Sequence, residues 1–124
     1  MEYRMLRSKG HLAVWERRTN KMIKVSALYP NEQGKKFDTE YYFKKHIPMI
    51  QQKLGRACKH LAVEQGLAGA EPGSRPTYLI MFHLYFDSVE AFQTAFGPHA
   101  ESIMGDIPNY TDIQPTIQIS EVKI

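Results

Sequence analysis

The run "TYLIMFHLYF" sets Tyr78, Ile80, Phe82, Leu84 and Phe86 in alternation with Thr77, Leu79, Met81, His83 and Tyr85. A period of two is that of a β-strand. Both sets are largely apolar, so both faces of this strand are expected to be covered. "MIKVSALYP", "CKHLAVEQGLA" and "IQPTIQISEVKI" read as three further strands. Between the first two, Phe43, Ile47, Ile50 and Leu54 fall at i, i+4, i+7 and i+11, the stripe of a core-facing helix. Asp38 is its expected N-cap and Gly55 its stop. A second helix carries Val89, Phe92 and Phe96 inward, with Asp87 and Glu90 as a capping box. Pro98 can open one more helical turn.

The order β-α-β-β-α-β is that of an α+β, ferredoxin-like domain with a four-stranded antiparallel sheet and both helices on one face. The other face, with its Met, Tyr and Leu content, is too apolar to be left to water. A second copy of the same sheet is the economical cover, which predicts a homodimer closed face to face as a dimeric α/β barrel.

Length and charge narrow the setting. The 124 residues suffice for one core, and the net charge is +3. Residues 1–21 alone hold six basic and two acidic side chains, so the rest of the chain is close to neutral. A basic face on the folded domain, as nucleic-acid binding requires, is therefore not expected. We read residues 1–21 as an added or alternative N-terminal extension, docked through Leu12, Val14 and Trp15, and residues 22–124 as the domain. No apolar run approaches the roughly 20 residues of a membrane span. The lone Cys58 fits a reducing compartment, and a cytoplasmic setting is expected.

The chemistry concentrates in "FDTEYYFKKHIPMI" (residues 37–50). Pro48 lies inside the helical pattern, where it removes a hydrogen bond and crowds the preceding turn at a cost of roughly 3 kcal/mol. The helix is expected to end or kink there. Tyr42 and His46, four residues apart, share a stripe bordering the core. They can form a hydrogen-bonded pair, with His46 as general base and Tyr42 as donor to a developing oxyanion. The plainer alternative has His46 tying the kink to a carbonyl and Tyr42 as a rim residue. His83 stands at a similar height on its strand, facing either the helices or a partner sheet. His99, after the second helix, comes over the same end or caps the surface. Asp106 reads as a turn former, or as a group orienting His99. Metal-ligand spacings and phosphate-binding loops are absent from the sequence, so neither a metal nor an organic cofactor is expected.

"FDTEYYFKKHIPMI" together with "FGPHAESIMGDIPNYTDIQPTIQISEV" resembles the EthD family, named for a component of an ethyl tert-butyl ether degradation system. The resemblance spans residues 22–124. It implies a dimeric α/β barrel with a pocket for a small hydrophobic molecule, and an oxidoreductase, monooxygenase-like role without an organic cofactor. Related barrels also include isomerases, cyclases, decarboxylases and haem-handling enzymes. A carrier that delivers substrate to a separate monooxygenase is the alternative from a different class. The histidine–proline position implied by the resemblance is His46 and Pro48, with Tyr42 one turn before.

Overall fold

The computed structural model describes residues 3–7, 13–17 and 22–124. Strands β1 (Tyr3–Arg7) and β2 (Ala13–Arg17) pair antiparallel in a two-stranded sheet of their own. The expected docking through Leu12, Val14 and Trp15 lies outside the described residues and side chains.

The main sheet contains β3 (Ile23–Pro30), β4 (His60–Gln65), β5 (Tyr78–Phe86) and β6 (Thr116–Glu121). Its order is β4-β5-β3-β6, antiparallel throughout, so the fold is the ferredoxin-like α+β arrangement. Period-two alternation puts Ile23, Val25 and Tyr29 on the same face as Ile80, Phe82, Leu84 and Phe86, and these residues are buried. Ile50 and Leu54 of α2 (Ile47–Leu54) pack on that face, with Phe92 and Phe96 of α3 (Val89–Phe96) against the same core. A short α4 (Ala100–Gly105) adds Ile103.

Asp38 caps α1 (Thr39–Tyr41) as expected, its carboxylate accepting from the Tyr41 amide at 3.0 Å. The second cap sits one residue later than expected. Ser88, not Asp87, is the N-cap of α3, and its Oγ accepts from the Ala91 amide at 3.0 Å. Gly55 ends α2 with φ at 58°, a conformation that costs a glycine little.

Pro48 neither ends nor breaks the helix. The segment Tyr42–His46 is a π-turn, in which the Ile47 amide donates to the Tyr42 carbonyl five residues back. The hydrogen-bond register thus changes immediately before the residue that cannot donate. The wider turn also rotates the residues that precede it. Tyr42 and His46 take the inward positions and are buried, while Phe43, expected in the core stripe, is 40 % exposed.

The opposite face of the sheet is more mixed than expected, and Ser26 and His83 on it are buried. Leu28, Leu79, Met81 and Tyr85 lie on it half-buried, interrupted by Lys24, Ser26 and His83.

Candidate functional site

His46 closes the π-turn with its imidazole almost fully enclosed. Its Nδ1 lies 2.8 Å from Oδ2 of Asp106, the residue that ends α4. An ionised carboxylate can only accept, so Nδ1 carries the proton and Nε2 is left as the acceptor. Nε2 takes a hydrogen bond from the Tyr110 hydroxyl at 3.3 Å. Tyr110 in turn lies 2.6 Å from the hydroxyl of Tyr29 on β3. On the outer side, Tyr41 and Asn109 donate to Asp106 Oδ1 at 2.7 and 2.9 Å. The result is one polar chain running from the partly exposed Asp106 through His46 and Tyr110 to Tyr29.

Burial pushes the His46 pKa below that of an ordinary histidine, against the pull of Asp106. Partial burial also works to raise the Asp106 pKa, but the bonds from Asn109, Tyr41 and His46 outweigh it and hold the carboxyl below the usual range. Burial raises Tyr29, Tyr42 and Tyr110 alike, so all three phenols stay protonated at neutral pH.

Beside this chain is a cavity of about 220 Å³ between the helices and the sheet. Its walls include Val25, Phe82, Leu84, Phe92, Phe96, Ile103 and Met104. Among the described residues, Tyr29 and His46 are the lining side chains with a hydrogen-bonding nitrogen or oxygen.

The four expected site residues do not converge. The Tyr42 and His46 rings stack with centroids 5.5 Å apart, but the hydrogen bond expected between them is not made. Tyr42 is fully buried among aromatic rings, and its hydroxyl has no partner among the described residues. Its side chain is not part of the cavity wall. His83 faces away from the helices, bonded through Nδ1 to Ser26 Oγ at 2.7 Å with Glu64 3.6 Å from Nε2. Strand alternation decides this, because His83 is out of phase with Phe82 and Leu84. His99 lines a separate surface groove with Lys53, Glu90 and Pro98. Asp106, considered for His99, orients His46 instead, and Tyr29 and Tyr110 were not singled out at all. The signal that pointed toward Tyr110 was the run "NYTDIQP", whose backbone is pinned near the first helix by the Asp38 amide donating to the Tyr110 carbonyl.

Because the buried Tyr42 hydroxyl has no partner among the described residues, Tyr42→Phe should be neutral or stabilising, by up to about 1 kcal/mol. Urea denaturation checks this, and a loss above 1 kcal/mol would reveal a partner for the hydroxyl.

Among the described residues, no group of three or more His, Cys, Asp or Glu side chains is placed to hold a metal ion. No helix among them is long and apolar enough to cross a membrane.

Residues 32–114 match the EthD domain, two-thirds of the chain. The chain belongs to the EthD family. An EthD-like protein from Ralstonia eutropha JMP134 is 46% identical, with a TM-score of 0.80 over 85% of this chain and 95% of that one. A protein from Bordetella bronchiseptica, assigned only by name as an antibiotic biosynthesis monooxygenase, is 15% identical, with a TM-score of 0.55 over 84% of this chain and 99% of that one. A dimeric protein of ferredoxin-like fold from Bacteroides fragilis NCTC 9343 is 16% identical, with a TM-score of 0.53 over 82% of this chain and 96% of that one. At such identities these two share the EthD fold alone. No curated protein matches the chain.

Proposed function

We propose that this EthD protein is a proton-transfer enzyme of monooxygenase-like type, acting without an organic cofactor on a small hydrophobic oxygenated molecule. The observation that carries the reading is a buried imidazole, its tautomer set by Asp106, in the wall of an otherwise apolar cavity. His46 Nε2 takes the proton of an acidic O–H or C–H group, and Asp106 balances the imidazolium that forms. Tyr110 yields its long 3.3 Å bond so that Nε2 is free for the incoming group, and Tyr29, held by Tyr110 from behind, donates to the anion left. In an oxygenase the anion's carbon forms a C–O bond to dioxygen. The peroxide's O–O bond then breaks with loss of the hydrogen on that carbon, leaving a carbonyl and water. In an isomerase the anion is reprotonated at another carbon.

The test is dioxygen uptake, with product analysis, over a panel of small phenols and enolisable ketones. His46→Gln should lower kcat/KM for an accepted substrate by about 10²-fold or more. Unchanged turnover in a folded variant would remove His46 from the role of base. A carrier is the second reading, favoured by the engagement of both imidazole nitrogens in the protein itself. A carrier would bind the same molecules without turnover and lose little affinity in His46→Gln.

The half-exposed Leu28, Leu79, Met81 and Tyr85 on the far sheet face support assembly as a homodimer, in line with the dimeric Bacteroides fragilis protein of the same fold. Met81→Glu, placing a charge on that face, should convert the dimer to monomer in sedimentation velocity. A wild-type monomer at micromolar concentration would refute it.

A further inference from the structure

The cavity's dimensions and chemistry narrow the ligand further than the proposed reaction does, although the inference rests on the same cavity being the substrate site. An apolar cavity of about 150 Å³ is large enough to hold benzene. The cavity here, at about 220 Å³, has room for one ring and a short substituent. Phe82, Phe92 and Phe96 supply aromatic surfaces for such a ring, and Met104 and Ile117 flank it with apolar side chains that are partly open to water.

Charge sets the second limit. Among the described residues, no lysine or arginine lines the cavity. Burial holds the His46 imidazole toward its neutral form, and the negative charge of Asp106 lies just behind it. A carboxylate or phosphate entering this space would leave water without meeting a cation, which is strongly unfavourable. A neutral hydroxyl meets a better match, since Nε2 of His46 is an acceptor and Tyr29 offers an exchangeable hydroxyl.

We infer that the EthD cavity selects an uncharged, single-ring phenol or enol of similar size, seated with its one hydroxyl toward His46. Anionic analogues are rejected for lack of a counter-charge, and fused polycyclic compounds for lack of room.

Isothermal titration calorimetry at pH 7.5 tests this with 4-ethylphenol, ethylbenzene and 4-ethylbenzoate. 4-Ethylphenol should bind about tenfold more tightly than ethylbenzene, reflecting one net hydrogen bond. 4-Ethylbenzoate should bind at least about tenfold more weakly than the phenol. In His46→Leu the two neutral rings should bind alike. Phe96→Trp, which fills the cavity without touching the polar chain, should weaken both neutral rings together, and serves as the control if His46→Leu fails to fold. Equal binding of the carboxylate, or a phenol preference that survives His46→Leu, would overturn the inference. So would full affinity in Phe96→Trp. These readouts need no turnover, so they separate from the test of the reaction. If the ring preferences hold while His46→Gln keeps its rate, the base assignment falls and the ligand class stands. If the carboxylate binds while the rate effect of His46→Gln holds, the ligand class falls alone.

Discussion

Asp106→Ala is expected to lose about 2–3 kcal/mol of stability, seen as a fall of roughly 10 °C in the thermal midpoint. The loss is large because three groups lose their acceptor together, namely His46 Nδ1, the Tyr41 hydroxyl and the Asn109 amide. Of these, His46 cannot turn to water for a substitute, since its side chain is 3% exposed. Asp106→Asn keeps an oxygen that can accept from Nδ1 and should lose about half as much. A midpoint within 2 °C of wild type in Asp106→Ala would mean that the carboxylate contributes nothing to the fold.

The same pair sets a pH dependence. His46 is held below its ordinary pKa, so the unfolded chain takes up a proton near pH 6.5 while the folded one does so only at lower pH. Its contribution is fully present above that point and is lost as pH falls through the folded value. Asp106, also lowered, acts in the same sense further down. Its contribution is present above the unfolded pKa near 3.9 and lost as pH falls through the folded value. The thermal midpoint should therefore decline from pH 7 toward pH 5, and His46→Gln should flatten that portion of the curve. A wild-type curve that rises on acidification would contradict a neutral buried imidazole.

Tyr110→Ala should have the largest effect on stability, about 3–5 kcal/mol by urea denaturation. The Tyr110 ring meets those of Tyr29, Phe37, Tyr41, Tyr42 and His46, with centroids between 4.6 and 6.2 Å away. Removing it opens a cavity in the middle of that cluster and leaves the Tyr29 hydroxyl without its partner. Tyr110→Phe separates the two effects. It keeps the ring and deletes the hydroxyl, so about 1–2 kcal/mol is expected, with the His46 titration shifted. A loss below 1 kcal/mol in Tyr110→Ala would show that the segment after α4 is not what holds the site closed.

Much of the framework was legible because local periodicity reports directly on burial. The alternation of "TYLIMFHLYF" placed Ile80, Phe82, Leu84 and Phe86 on one face, and the helices cover that face. The stripe on the first helix was legible in part. Ile47, Ile50 and Leu54 are buried as their spacing required, yet Phe43 is displaced by the π-turn. Such a change of hydrogen-bond register leaves no trace in a pattern read at 3.6 residues per turn. Pro48 marked the place of the irregularity without revealing its form.

His46 itself could be singled out from its neighbours, but its partners could not. Asp106 and Tyr110 lie 60 and 64 residues further along the chain, in short turns without hydrophobic periodicity. Their approach to His46 depends on where α4 and the following turn are laid against the first helix. The sequence alone determined the four strands of the main sheet, the two main helices, most of the face that each buries (Phe43 and Val89 excepted) and the family. The tertiary structure decided which side chains share the cavity, because hydrogen bonds between distant segments exist only once packing has brought them within about 3 Å.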